Sequence, residues 1–202
     1  QTFLLNDEIE AAFAICRQRG FRVMAHAASP ETVQSAARLG AHSVEHGYIM
    51  DASSIESLRA NRTWYVPTLA ITHLTPDQAR DPWEKRWVEE RNLAPDLCHR
   101  ADAAAEPHRD AFRQALAAGV RMALGSDIRP LKEAALLELG LWVAAGATPW
   151  QALLAATRHA AELCGVGDEL GTIEPGKLAD LIVVAADPLE NISNLRRLLL
   201  VL

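Results

Sequence analysis

Phe21-Arg22-Val23-Met24-Ala25-His26 and, further on, Ala41-His42-Ser43-Val44-Glu45-His46-Gly47 read alike: a short, mainly apolar run that ends on a histidine. Runs of this length, bounded by turn residues, have the character of strands. Between them Ser29 and Pro30 stand as N-cap and first residue of a helix that closes at Gly40. A strand, a helix and a second strand of the same type make a β-α unit, and such units build a parallel sheet.

The pattern extends in both directions. Upstream, Asn6 and Asp7 open an amphipathic helix with Ile9, Phe13 and Cys16 on one face, ended by Gly20. Downstream, residues 51–60 form a helix, and Thr63-Trp64-Tyr65-Val66-Pro67-Thr68-Leu69, rich in β-formers, is a third strand. Residues 75–118 are charged and helical in composition, with breaks expected at Pro82, Pro95 and Pro107. Residues 120–124 make a fourth strand that runs into Gly125-Ser126-Asp127. Helices follow at 131–145 and 149–164, the second opened by the capping box Thr148-Pro149-Trp150-Gln151. The tail departs from the repeat: Pro175-Gly176 marks a turn, and Leu181-Ile182-Val183-Val184 is β structure outside it. A complete (β/α)8 barrel needs eight units and about 250 residues. Four units leave an open α/β sheet or the second half of a barrel.

Half of the 202 residues are apolar, enough for a sizeable core, and disorder is excluded as the main character. The formal net charge of −6 argues against nucleic acid or an anionic membrane as the main partner, since both want a basic face. No apolar run is long enough for a membrane-spanning helix. Cys16, Cys98 and Cys164 are odd in number and widely spaced, so each is expected to be a small buried apolar residue rather than part of a disulfide. The chain opens on Gln1 with no signal-peptide pattern. The compartment stays open, with the cytoplasm favoured, since any signal peptide would lie upstream.

Three strands end in chemistry: at His26, at His46 and at Asp127. In a parallel α/β fold these ends share one face, the face on which active sites are built. Two neutral imidazoles and a carboxylate suit zinc or a similar divalent ion, with a position left open for water. Asp127 is also placed to take a proton as general base. Each residue alone has a plainer explanation: a strand-end histidine in a structural hydrogen bond, or a Gly-Ser-Asp helix cap. Together they favour a site. By strand parity His42 belongs to the core or behind the site, and Glu45 faces the helix layer in an ion pair. His73, His99 and His108 fall in the polar excursion and are expected to be solvated. His159 is expected to be a structural residue on a helix.

The succession V-M-A-H-A, S-V-E-H-G, V-P-T-L and A-G-V-R-M-A-L-G-S-D resembles the metal-dependent amidohydrolase superfamily, in its imidazolonepropionase-like and Xaa-Pro or Xaa-Arg dipeptidase-like branch. The stretch G-T-I-E-P-G-K-L-A-D-L is its most specific signature, and in that family it leads into a small β-sandwich beside the barrel. The resemblance implies that residues 1–165 are strands five to eight of a TIM-type barrel and that 166–202 are part of the sandwich. It implies that His26, His46 and Asp127 hold a divalent metal, zinc first among the choices, and that Asp127 also shuttles the proton. Thr68 would line the mouth and Tyr48 contact substrate. A deaminase relative would carry H-A-G-E at the first histidine; H-A-A-S stands here instead.

The family's H-x-H motif and its bridging lysine have no match in this sequence, so the chain reads as the C-terminal half of a longer enzyme. The expected activity is metal-dependent hydrolysis of an amide or cyclic amide C–N bond in a small-molecule or dipeptide-like substrate. The alternatives are a non-catalytic half-barrel that self-associates into a homo-oligomer, and an open-sheet small-molecule binding domain.

Overall fold

A computed structural model describes residues 4–202. Three parallel strands, β1 (Met24–Ala27), β2 (Ser43–His46) and β3 (Trp64–Val66), lie in the order β1-β2-β3. His26 pairs with Glu45, Ala27 with His46, and Glu45 with Val66, so the strands stop level with one another.

The crossovers are helices specified locally. Helix α1 (Asn6–Gln18) leads into β1. Helix α2 (Pro30–Leu39) starts at Ser29, whose hydroxyl takes the Thr32 N–H, and ends at Gly40 with φ 91°. Helix α3 (Ala52–Ala60) starts at Asp51, whose carboxylate accepts the Ser54 N–H at 2.7 Å. Val33, Ala37, Val44 and Leu58 meet between these helices and the sheet, all fully buried. Each such aliphatic side chain contributes about 1.5–3 kcal/mol of transfer free energy, less for alanine.

The excursion after β3 begins with two single-turn 3-10 segments, Leu69–Thr72 and Pro76–Gln78. Helices α4 (Pro82–Arg91) and α5 (Pro95–Ala117) follow. Pro107 does not break α5, contrary to the sequence expectation. Its ring meets the turn at Ala103, and the strong helix formers Ala103, Ala104 and Ala105 carry the helix through. Two of the histidines expected to be solvated are buried instead. His108 is 0 % exposed, on the stripe Ala101, Ala105, His108, Phe112, Ala115 that α5 turns to the core. His73 is 2 % exposed and lies 3.3 Å from the buried carboxylate of Glu84. His99 is exposed, as expected.

The fourth strand is shorter than its sequence suggests. Residues 120–124 pair with β3 through one parallel bridge, Tyr65 to Met122, with Tyr65 N–H donating to Arg121 O at 2.8 Å. Gly119 and the left-handed Asp127 turn the chain away on either side of the bridge. Gly125 is needed there, because a Cβ would stand 2.5 Å from Val66 Cγ1. Helix α6 (Leu131–Ala144) packs behind the 3-10 turn Leu69–Thr72. The helix expected over 149–164 is two, α7 (Pro149–Ala156) and α8 (Arg158–Cys164), divided at Thr157, whose hydroxyl bonds back to Leu153 O at 2.7 Å. The tail forms a separate antiparallel pair, β4 (Ile182–Val184) with β5 (Leu198–Val201).

One face of the parallel sheet carries Met24 and His26, Ser43 and Glu45, Trp64 and Val66. Leu163 of α8 and Ala123 cover it at β3. At β1 it is open, with Met24 73 % exposed. No helix among the described residues is long and apolar enough to cross a membrane.

Candidate functional site

The level strand ends bring the sequence-predicted residues to one rim. His26 and His46 meet edge to face with ring centroids 4.6 Å apart. Tyr48, two residues on, stacks on His46 at 5.2 Å and meets His108 edge-on at 5.0 Å. Thr68 closes the other side: its Oγ1 lies 2.7 Å from His46 Nδ1. That bond occupies one ring nitrogen and leaves Nε2 for a ligand.

Three of these rim residues hold left-handed backbone although none is glycine: His46 at φ 73°, Thr68 at φ 54° and Asp127 at φ 52°. Such conformations cost about 1–3 kcal/mol each and persist where the surroundings enforce them. At His46 the enforcement is visible. Its carbonyl accepts the Tyr65 hydroxyl at 2.9 Å and His108 Nε2–H at 3.0 Å, while His108 Nε2–H also reaches Pro67 O at 2.7 Å. Gly47 then continues left-handed at φ 53°, where a Cβ would stand 2.8 Å from the Tyr65 ring.

The electrostatics suit neutral imidazoles. Burial, and then the neighbouring His26, push the His46 pKa down to about 4, against an opposing pull from Asp127. Burial likewise takes His108 down to about 4 despite its two carbonyl partners. Burial and then Asp127 raise Tyr48 to about 12, so its hydroxyl stays protonated and able to donate. Glu45 is raised by burial, against the opposing hydrogen bond that Ser43 Oγ donates to it at 2.6 Å, with a lesser upward push from Asp127.

Glu45 is therefore not in the helix layer. Its register opposite His26 turns it to the face that carries His26, and the strand parity counted back from His46 fails because His46 itself leaves extended backbone. His42 bonds Leu163 O at 2.8 Å and His159 bonds Met122 O at 3.1 Å, both structural roles. Asp127 lies within electrostatic reach of His46, Tyr48 and Glu45. Among the described residues, however, no three His, Cys, Asp or Glu side chains stand close enough together to hold one ion.

Two contributors escaped the sequence reading. His108 was legible in principle, since it sits in the 3-4 spacing of the buried stripe on α5. Glu138, fully buried on α6, accepts the Leu69 and Ala70 N–H groups at 2.8 and 2.7 Å. Nothing local in the sequence marks it.

A family model described as the amidohydrolase family matches residues 4–198. Ochratoxinase of Aspergillus niger is 30 % identical over 173 residues, covering 84 % of this chain and 34 % of its own. Imidazolonepropionase of Acidiphilium cryptum is 30 % identical over 192 residues, covering 92 % and 41 %. Among solved structures, a Xaa-Pro dipeptidase with methionine bound in its active site superimposes with a TM-score of 0.83 at 30 % identity, over 98 % of this chain and 47 % of that one. The chain thus spans less than half the length of these relatives.

Proposed function

The chain belongs to the amidohydrolase family, and from that premise we propose that it serves metal-dependent hydrolysis of an amide or cyclic amide C–N bond. The observation that carries the reading is the rim itself: two imidazoles in contact, one with its Nδ1 held by Thr68, at the C-terminal ends of parallel strands beside Asp127. In this reading β1, β2, β3 and residues 120–124 correspond to strands five to eight of a barrel, and residues 166–202 to part of a β-sandwich.

The donors fit a divalent cation in kind. His46 is neutral at physiological pH with Nε2 unspent, and imidazole with carboxylate is a ligand set suited to Zn2+. His26, His46 and Asp127 would be the donors this chain supplies to the ion, although as they stand they do not form a closed three-donor set. Bound there, a divalent metal supplies Lewis acidity, which polarises the substrate carbonyl and lowers the pKa of a water. The remaining work belongs to the chain. Asp127 takes the proton of the attacking water and returns it to the leaving nitrogen. Tyr48, protonated beside His46, donates a hydrogen bond to the substrate, and Thr68 keeps the His46 ring in one orientation. The names of the relatives, an imidazolonepropionase and a Xaa-Pro dipeptidase, support a small-molecule or dipeptide-like substrate.

The test is metal content per chain of the purified protein, with His46→Ala beside it. About one divalent ion per chain, lost in the variant, supports the reading; none in either protein removes it. A second reading, a non-catalytic domain that associates through its open face, is favoured by the absence of a closed three-donor set among the described residues and by the exposure of Met24. It requires that the metal-free chain self-associate and that added Zn2+ leave it unchanged.

A further inference from the structure

The 3-10 turn Leu69–Thr72 is capped from another element. A threonine in the residue before a helical turn ordinarily bends its hydroxyl onto the N–H of the second or third residue of that turn. Thr68 occupies that position and makes no such bond. Its hydroxyl is spent on His46 Nδ1 instead. The N–H groups of Leu69 and Ala70 point at the Glu138 carboxylate, one to each oxygen, at 2.8 and 2.7 Å. Trp142, one turn further along α6, donates its indole N–H to the same carboxylate at 3.0 Å and packs edge-on against Phe112 of α5 at 4.9 Å.

We propose that Glu138 is a positioning residue for His46: by capping the Leu69–Thr72 turn from α6 it frees the Thr68 hydroxyl and holds Thr68 in the backbone conformation from which that hydroxyl reaches His46 Nδ1. A β-branched residue at φ 54° does not rest there unaided. The carboxylate fixes both peptide groups that follow Thr68, which over-determines its ψ and the direction of its side chain. A wholly buried carboxylate is also a costly way to join a helix to a turn, because desolvation opposes it. Burial pushes its pKa up to about 7, against the pull of the three donors. An apolar contact would join the two elements without that cost. What it would not do is take the Ala70 N–H that a capping Thr68 hydroxyl would otherwise accept, or the Leu69 N–H beside it.

That His46 acts in binding rests on the function proposed above, but its ring orientation is readable without metal or substrate. The measurement is the long-range 1H–15N spectrum of the histidine rings, together with the backbone amides of Leu69 and Ala70. In the unmodified chain His46 is expected as a single tautomer protonated at Nδ1, with both amides shifted downfield. Thr68→Ala should collapse the His46 signals to a tautomer average. Glu138→Ala should reproduce that collapse and lose both amide shifts. Glu138→Gln, nearly isosteric and left with one accepting oxygen, should retain one shifted amide and an intermediate ring spectrum. If Glu138→Ala does not fold, Glu138→Gln decides by the same criterion. A His46 spectrum that stays native while the Leu69 and Ala70 amides move reduces Glu138 to a structural staple and overturns the proposal. A native ring spectrum in Thr68→Ala overturns it as well. Loss of metal uptake is not needed for any of these outcomes, so failure of the proposed function is seen separately.

Discussion

Thr68 Oγ1 and His46 Nδ1 are 2.7 Å apart, although each residue must adopt left-handed backbone to bring them there. The bond fixes the imidazole so that Nε2 is the nitrogen offered at the rim. Partners of this kind behind a metal-binding histidine are worth about 10–100-fold in metal affinity. Thr68→Ala should weaken Zn2+ binding by that factor in a calorimetric titration, while Thr68→Ser, which keeps the hydroxyl, should stay within a few-fold of the unmodified chain. Equal affinity in all three proteins would show that the hydroxyl does not set the ligand.

Asp127 carries the proton in the proposed reaction, and it too is left-handed, at φ 52°. Asparagine tolerates that conformation as well as aspartate does. Asp127→Asn should therefore leave the melting temperature within a few degrees while lowering amide hydrolysis by about 10²–10⁴-fold, the usual size of a general acid–base contribution. Parallel losses of stability and activity would assign Asp127 a structural role instead.

How much of this was legible in the sequence follows from which forces are local. The cap at Ser29, the glycine stop at Gly40 and the strand ending at His46 are written in neighbouring residues, and the structure agrees with them. Strand β1 runs one residue past His26 to Ala27, and Asp51 caps its helix rather than belonging to it. Glu45 was misplaced because period-two counting assumes extended backbone up to His46, which is where the backbone leaves that region. His108 was misread because its segment is polar on average, although its own face of α5 is apolar. Glu138 was invisible because its partners Leu69 and Ala70 are brought to it only by packing of α6 on the turn.

Arg196 ties the tail to the excursion. Its guanidinium lies 2.7 Å from Asp81 Oδ2 and 3.9 Å above the Trp83 ring, and it reaches the buried Glu84 at 3.4 Å. Glu84 keeps two other partners, Arg80 and His73, so removing Arg196 does not strand its charge. Arg196→Ala should cost about 1–3 kcal/mol, from charged hydrogen bonds and lost stacking. Arg196→Lys should recover less than half, because an ammonium on a flexible stem does not reproduce the planar fork. Faster proteolysis of the tail in both variants, with the three-stranded sheet intact, is the expected signature. A fully rescued lysine variant would reduce the contact to simple charge pairing.

Two buried groups pull the pH dependence of stability in opposite directions. His108 is held near pKa 4 against an ordinary 6.5, because burial outweighs its carbonyl partners. Between those values the unfolded chain binds a proton that the folded chain refuses, so stability falls as the pH drops through that window. His46, also near 4, adds to the same slope. Glu138 does the reverse. Its pKa is raised from 4.5 to about 7 by burial, so the folded chain keeps a proton that the unfolded chain has shed, and stability falls as the pH rises from 4.5 to 7. Each shift corresponds to about 3 kcal/mol across its window. Denaturant titrations at pH 5, 6 and 7 should therefore show a modest loss of stability toward acid in the unmodified chain. Glu138→Gln should steepen that loss by removing the opposing slope. His108→Gln, which keeps a donor for the Pro67 and His46 carbonyls, should flatten it. Identical slopes in the two variants would mean that neither group is held away from its ordinary pKa.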